Sequence, residues 1–151
     1  MLDLYDEFST LVGALEAARA DYAVCGGLAM AIHGFPRATI GVDLVVPPTA
    51  VERVLACARD LNYSITADPM SFAGGKVEIR RVSKIDHGDL LSLDLLLVTP
   101  AIERVWNERT RVVWERGELW VVSRQGLVHL KRLRGSGQDQ DDIKMLEGDE
   151  P

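Results

Sequence analysis

Residues 22–46 read YAVCGGLAMAIHGFPRATIGVDLVV and contain the pattern that decides the fold. A short apolar strand runs into the glycine pair Gly26-Gly27, a helical segment follows, and a second apolar strand carries one acid, Asp43. A later apolar run at 90–98 again carries a single acid, Asp94. Carboxylates are seldom buried among Leu and Val without a partner. The two acids therefore predict a shared cation or phosphate site.

The composition indicates a single globular domain. The chain has 151 residues, of which 47% are hydrophobic and 26% are charged, and a chain of this length buries about two-thirds of its unfolded surface. We expect one domain over 1–151, with a core at about 22–146 and a preceding helix at about 2–20. No apolar run approaches the ~18 residues of a membrane helix, and the acidic N-terminus is unlike a signal peptide. We expect a cytoplasmic protein with no membrane partner.

The charge distribution limits the classes of partner. A formal charge of −6 argues against non-specific binding along a nucleic-acid backbone, which needs a basic surface. Arginines and lysines are nevertheless concentrated in the second half of the chain, and acids return in the C-terminal tail. The two cysteines, Cys25 and Cys57, lack the spacing of a zinc site, and we interpret both as small buried residues.

Helical and strand patterns alternate along the chain, which favours an α/β (α+β) fold with a mixed sheet flanked by helices. Between the later strands, 68–75 has the composition of a turn, and the glycines of 135–137 predict a flexible joint. The periodicity and the cap residues predict helices at 2–20, 28–32, 50–61, 100–107, 124–134 and 139–146, and strands at 22–25, 42–46, 63–66, 76–82, 90–98, 111–114 and 119–122.

The position of each acid within its strand predicts how the two could meet. Side chains alternate between the faces of a strand, so Asp43 points away from Val42 and Leu44, and Asp94 points away from its leucine neighbours. If the two strands are adjacent, the carboxylates can lie side by side. They would then repel each other unless a cation lay between them, and Mg²⁺ prefers such oxygen ligands, often together with substrate phosphates.

The glycine pair and the loop after the helix add candidate phosphate ligands. Gly26 and Gly27 open a helix, where free backbone N–H groups and the helix dipole favour an anion. Arg37 and Thr39 lie on the loop between this helix and the Asp43 strand.

The order of these features resembles the minimal nucleotidyltransferase superfamily. The similar segments are Gly26-Gly27, the helix ending at His33-Gly34, then Arg37 and Thr39, then the strand with Asp43. The pattern is most similar to the branch that contains AbiEii-type toxins and their relatives. A glycine pair is followed in that family by a strand with two acids and by a later strand with a third acid.

Later segments extend the resemblance over about 22–146. Leu93-Asp94-Leu95 is similar to the third acidic element of the family, and Lys131, followed by Asp139 and Asp142, is similar to its late helical segment. From their positions we interpret the two late acids as structural groups that anchor the final helix near Lys131 or an arginine.

The resemblance implies an enzyme that transfers a nucleotidyl group from an NTP to a hydroxyl of a protein or RNA with Mg²⁺ (or Mn²⁺), and an antitoxin-like protein partner is conceivable. By the same resemblance, Asp43 and Asp94 would be the catalytic and metal-binding residues, and the nucleotide would be bound by Gly26, Gly27, Arg37, Thr39 and Lys131.

One position departs from this pattern. The first acid of the family's two-acid strand is replaced by Gly41, which has no side chain to bind a metal ion. Two-metal nucleotidyl transfer needs both the attacking and the leaving oxygen to be held. We therefore expect reduced activity and weak metal binding. Two alternatives remain at this point: an inactive module of the same fold that binds nucleotides or a partner, and a globular domain whose strand acids have no shared role.

Overall fold

The computed structural model describes residues 2–36, 38–115 and 117–148. None of the described helices is long and apolar enough to cross a membrane. The helices are α1 (Leu4–Ala17), α2 (Gly26–Ile32), α3 (Val51–Asp60), α4 (Glu103–Asn107), α5 (Arg124–Arg134) and α6 (Gly137–Glu147). The strands are β1 (Ala23–Cys25), β2 (Gly41–Val46), β3 (Ile65–Thr66), β4 (Met70–Phe72), β5 (Val77–Asp86), β6 (Asp89–Leu97), β7 (Thr110–Trp114) and β8 (Gly117–Val121).

All described strands belong to one mixed sheet, as the sequence predicts. The strand order is β3-β5-β6-β2-β1-β8-β7, and β4 pairs with the N-terminal part of β5. β2 runs parallel to β6, and β1 runs parallel to β8, while the remaining pairs are antiparallel. The two apolar strands that carry Asp43 and Asp94 are therefore direct neighbours at the centre of the sheet.

Burial alternates along the central strands. Val42 and Leu44 on β2, and Leu93 and Leu95 on β6, are almost fully buried, with exposed fractions of 1% or less. The buried side chains of α1 and α3 belong to the same hydrophobic core. The opposite face of these strands carries the two acids, so the pleat separates core residues from candidate site residues, as expected from a period of two.

Local sequence signals set several element boundaries. The Asp3 carboxylate accepts a hydrogen bond from the Asp6 amide at the start of α1, and the Ser123 hydroxyl accepts one from the Gly126 amide at the start of α5. Such caps satisfy amides that have no partner within the helix. At the start of α3, a 3₁₀ turn at Pro48–Ala50 precedes the helix, and no side chain caps it.

In the middle of the chain, one prediction is wrong and a second is right but too short. The region 68–75, interpreted as a turn, contains the short strand β4, because residues 70–72 pair with β5 in an antiparallel ladder. The strand predicted at 76–82 continues to Asp86 and forms a long hairpin with β6 around His87-Gly88, where both residues have positive φ. This hairpin fixes the register of β5 against the strand of Asp94.

The segment 135–137, predicted as a flexible joint, is a defined turn. Gly135 adopts the left-handed conformation that ends α5, with φ of 72°. Ser136 then starts α6 through a capping box, in which its hydroxyl and the Asp139 carboxylate satisfy each other's backbone amides. The two helices are therefore joined by hydrogen bonds at a fixed turn.

Candidate functional site

One row of residues crosses four strands on the face of the sheet that carries Asp43 and Asp94. In the ladder register, Cys25 pairs with Asp43, Asp43 with Asp94, and Asp94 with Arg81. Residues in register on neighbouring strands lie on the same face, with Cβ atoms about 5 Å apart. The structure therefore brings Asp43 and Asp94 side by side, and it adds a cation to the row.

Asp94 is held by that cation. The guanidinium of Arg81 donates two hydrogen bonds to its carboxylate, from Nε to Oδ1 at 2.7 Å and from Nη2 to Oδ2 at 2.9 Å. The Asp94 side chain is 14% exposed and that of Arg81 is 44% exposed, so the pair lies at the edge of the site. Paired, planar contacts of this kind are the strongest that arginine makes with a carboxylate.

Asp43 has a different environment. Among the residues that the structure describes, none donates a hydrogen bond to its partly buried carboxylate. Burial raises the pKa of Asp43 to about 6, and the negative charge of Asp94 adds to the increase, although nearby cations oppose it. A carboxylate that is costly to ionise is a position where a bound cation would be favourable.

The glycine pair lies against this row. Gly26 has a φ of +68°, and a Cβ on it would lie 2.2 Å from Asp43 Oδ2; a Cβ on Gly27 would lie 2.5 Å from Thr39 Oγ1. A larger residue at either position would displace a predicted site residue. Gly26, Gly27 and Thr39 are thus brought together with Asp43, whereas Arg37 lies outside the described residues.

A cavity of about 410 Å³, here called the Asp43 pocket, opens above the row. Asp43 and Asp94 lie at one end, and from Asp94 the lining continues along β5 and β6 over the apolar Leu96, Ile79 and Val77 to Phe72, the last residue of β4. The lining residues are Cys25, Gly26, Asp43, Phe72, Ala73, Val77, Ile79, Asp94, Leu96, Leu127, Leu130, Lys131, Leu133 and Arg134. Nucleotide-sized ligands suit cavities of this volume, in which a few polar groups fix the orientation within a mostly apolar wall.

The cations of α5 are held from behind by α6. Lys131, which is 5% exposed, places its Nζ 2.9 Å from Asp142 Oδ2 and 3.8 Å from Asp139 Oδ1. Arg134 donates two hydrogen bonds to Asp139, at 2.7 and 2.6 Å. The late acids therefore anchor the final helix, as predicted from their positions.

The pKa of Asp139 is determined by its hydrogen-bond partners. Burial acts to raise the pKa of Asp139, but the hydrogen bonds from Arg134 and Ser136 outweigh it and lower the pKa to about 2. Because the ammonium of Lys131 already has two carboxylates, its predicted contact with a triphosphate would require it to share its charge. That contact stays a prediction.

A side chain at position 41 would be sterically hindered by the neighbouring strand. Gly41 pairs with Ser92 in the β2–β6 ladder, and a Cβ on Gly41 would lie 2.9 Å from the Ser92 carbonyl oxygen. Contacts of this length are too short for a Cβ and a backbone oxygen, so an acid at this position requires the strands to move. Position 41 faces the same side as Asp43, so Gly41 adds no side chain beside the two acids.

The described residues offer a metal ion at most two carboxylates at this site, Asp43 and Asp94. Across 2–36, 38–115 and 117–148, no group of three or more His, Cys, Asp or Glu side chains is placed to hold an ion. Asp43 offers a carboxylate without a hydrogen-bond donor, which suits a cation, but Asp94 is engaged by Arg81. One or two carboxylates suffice for Mg²⁺ only when substrate phosphates and water complete its shell.

Three residues of this region were missed by reasoning from the sequence: Arg81, Arg134 and Phe72. Arg134 could have been found from the helical spacing, because it lies one turn after Lys131 on the same helix. The position of Arg81 depends on the length of the β5–β6 hairpin, and that of Phe72 depends on a strand that was interpreted as a turn.

Comparison with known proteins gives a likeness of fold. No protein-family model and no curated protein sequence matches the chain at a significant level. A candidate nucleotidyltransferase from Thermotoga maritima superposes with a TM-score of 0.62 at 13% identity, covering 95% of this chain and 92% of that one. ANT(2″)-Ia, solved with adenylyl-2″-tobramycin, gives a TM-score of 0.63 at 11% identity, covering 93% and 86%. The chain therefore has the nucleotidyltransferase-like fold of these structures.

Proposed function

We propose that the protein binds a nucleoside triphosphate in the Asp43 pocket, and that it transfers the nucleotidyl group slowly to a hydroxyl of a protein or RNA. The observation that carries this proposal is the in-register pair Asp43–Asp94 at the base of a cavity of about 410 Å³. The fold supports the proposal, because ANT(2″)-Ia, which is similar in fold, was solved with an adenylylated compound.

The two ends of the pocket suggest one orientation of the nucleotide. The charged end contains the acid pair, with Gly26 against Asp43. Val77, Ile79 and Leu96 lie on β5 and β6 to one side of the Arg81–Asp94 pair, and Phe72, which is 51% exposed, pairs with Val77. An exposed aromatic ring can stack on a base. We therefore place the phosphates toward Asp43 and the base toward Phe72.

The charges around the pocket indicate that a cation must accompany the nucleotide. Counting the row and the α5–α6 cluster, four carboxylates face three cationic side chains, an excess of one negative charge when all are ionised. A polyphosphate would be repelled by such a site. Mg²⁺ (or Mn²⁺), held by Asp43 and Asp94, would supply the positive charge that aligns the α-phosphate.

The transfer itself needs little from the protein beyond positioning. The acceptor hydroxyl oxygen forms a bond to the α-phosphorus, the bond from that phosphorus to the bridging oxygen of the β-phosphate breaks, and pyrophosphate and a proton leave. Asp43 and Asp94 would orient the α-phosphate for this in-line displacement. Because Gly41 supplies no third carboxylate, we expect the rate to be low.

A second candidate is a module that binds NTP or a protein partner without chemistry. It is favoured by the contact distance at Gly41, where a Cβ would lie 2.9 Å from Ser92 O, and by the engagement of Asp94 by Arg81. An antitoxin-like partner belongs to this candidate as well as to the first, and it remains a prediction from the resemblance.

The test uses the four NTPs labelled at the α-phosphate, together with Mg²⁺ or Mn²⁺. Incubation with cell extract and with purified RNA should give slow label transfer, and thermal denaturation should show a higher Tm with Mg²⁺ and NTP. Asp43→Asn should abolish transfer, while Asp68→Asn, a change at an exposed acid elsewhere, should leave it unchanged. A rise in Tm without transfer would support the binding module. The absence of both a rise in Tm and transfer would contradict both candidates.

The orientation has its own test. Phe72→Ala should weaken binding of ATP about tenfold and leave binding of inorganic tripolyphosphate unchanged, since base stacking is lost. Ile85→Ala, which also removes an exposed apolar side chain of the sheet, serves as the control. Equal losses for ATP and tripolyphosphate would contradict the placement of the base.

A further inference from the structure

We propose that Arg81 is a mobile cation that closes Asp94 to metal until the phosphates of a nucleotide draw it away, so that metal and nucleotide each bind more tightly when the other is present. The inference rests on the proposed nucleotide site and adds a positioning residue to it. Arg81 is outside the pattern of acids and glycines that carries the resemblance to nucleotidyltransferases, and it enters the site only through the register of the β5–β6 hairpin.

The first step is the occupancy of Asp94. Both of its oxygens accept a hydrogen bond from Arg81, at 2.7 and 2.9 Å, in the fork geometry of a guanidinium on a carboxylate. A metal ion that approached these oxygens would meet a positive charge already in place. Without nucleotide, therefore, an incoming cation finds only the Asp43 carboxylate open.

The second step is that one open carboxylate supplies too few ligands to hold a divalent cation in the nucleotide-free protein. Mg²⁺ sites in proteins use one or two carboxylates and complete the octahedron with water and substrate phosphates. The missing acid at Gly41 removes a further ligand on this face. The free protein should consequently hold Mg²⁺ or Mn²⁺ poorly, because the second carboxylate is taken by Arg81.

The third step is the ease of moving Arg81. Its side chain is 44% exposed, so the guanidinium can reach solvent when it leaves Asp94. Among the described residues, Asp94 is the one that accepts hydrogen bonds from it. A phosphate group offers the same two-oxygen geometry with more negative charge. Arg81 can therefore exchange its paired contact with Asp94 for a paired contact of the same kind with a phosphate.

The exchange explains why the two ligands would depend on each other. When Arg81 turns to a phosphate, Asp94 becomes open and would repel both Asp43 and the nucleotide unless a divalent cation binds the acid pair. A divalent cation held by Asp43 and Asp94 would also supply positive charge that favours the phosphates. Each ligand thus removes the obstacle to the other, which is a positive coupling between two sites.

The experiment measures metal and nucleotide binding separately in one variant. In nucleotide-free protein, Mn²⁺ affinity is determined by the electron paramagnetic resonance signal of free Mn²⁺. Arg81→Gln should bind Mn²⁺ about tenfold more tightly than the wild type, since Asp94 is open. The same variant should bind ATP in the presence of Mg²⁺ about tenfold more weakly, since a phosphate ligand is lost.

Arg80→Gln is the matched control, because Arg80 lies next to Arg81 on β5 and pairs with the buried Leu95, on the opposite face. It removes the same charge from the same strand, and neither affinity should change by more than about twofold. The double variant Arg81→Gln with Asp94→Asn should lose the gain in Mn²⁺ affinity.

Two outcomes would overturn the inference. Equal Mn²⁺ affinity in Arg81→Gln and wild type would show that Arg81 does not close Asp94, and parallel losses of Mn²⁺ and ATP affinity would assign it a structural role. A wild type that binds no nucleotide would instead contradict the proposed function, and the comparison of Mn²⁺ affinities would still be readable.

Discussion

The carbonyl oxygen of Ser92 lies 2.9 Å from the position that a Cβ on Gly41 would occupy. Gly41, where the resemblance described above would place an acid, is thus also the residue that lets β2 and β6 pair closely at this point. A substitution at position 41 should therefore change both metal binding and the packing of the two strands.

Gly41→Ala and Gly41→Asp should both lower the free energy of unfolding, by about 1–3 kcal/mol, because the ladder must widen at Ser92. Urea denaturation measures this loss. Gly41→Asp should in addition bind Mn²⁺ more tightly than Gly41→Ala, since its carboxylate is added on the Asp43 face. Alanine is the control for the steric effect, and equal Mn²⁺ affinity in both variants would contradict the expected gain of a ligand.

Gly26→Ala should remove nucleotide binding, because its Cβ would lie 2.2 Å from Asp43 Oδ2 and its φ is +68°. Isothermal titration with ATP and Mg²⁺ measures the loss. Gly13→Ala is the matched control: Gly13 lies in α1 with no atom near the added Cβ, so this change should stabilise the helix by up to about 1 kcal/mol. Unaltered ATP affinity in Gly26→Ala would place the nucleotide elsewhere.

Asp43→Asn should stabilise the fold above pH 7. The pKa of Asp43 is raised by burial to about 6 in the folded protein, against about 3.9 when unfolded, so the folded state binds more protons between these values. Wild-type stability therefore falls as pH rises from about 4 to 6, and the variant avoids a loss of up to about 3 kcal/mol.

Urea titrations of Asp43→Asn and wild type at pH 4, 6 and 8 measure this difference. It should be largest at pH 8 and close to zero at pH 4. Asp68→Asn, at an exposed position, is the control for losing a carboxylate as such. A difference that stays constant across the pH range would contradict the elevated pKa.

Lys131→Ala should destabilise the protein by about 3–5 kcal/mol, because Asp142 would be left buried without its ammonium partner at 2.9 Å. Lys131→Met combined with Asp142→Leu should recover most of this loss, since paired apolar residues of similar size are tolerated where a buried ion pair was. Thermal denaturation of the single and double variants tests whether the effects of the two substitutions on stability are coupled. Additive losses would indicate that the two side chains are energetically independent.

Much of this arrangement could be predicted from the sequence. Two long apolar strands, each with one acid, predicted that Asp43 and Asp94 share a face, because side chains alternate along a strand and only apolar residues enter the core. The structure confirms that the strands are neighbours and in register. Ser123 also gave a reliable helix start, since an unpaired amide at a helix end requires an acceptor.

The remainder depended on distances that the sequence does not contain. Arg81 meets Asp94 because the β5–β6 hairpin turns at His87-Gly88, and a shift of one residue would have placed it on the core face. The strand β4 is short and mostly exposed, so no hydrophobic pattern distinguished it from a turn. The close approach of Ser92 to Gly41 is likewise a result of register.

The contacts between α5 and α6 have a consequence for work with shortened or fused versions of this protein. Lys131 and Arg134 form part of the pocket wall, and their charges are balanced from the far side by Asp142 and Asp139. A truncation, a fused tag or a binding protein that detached α6 would leave two uncompensated cations beside the acid pair. Anion affinity measured on such a version would then exceed that of the intact chain, and it should be interpreted as an artefact of the missing helix.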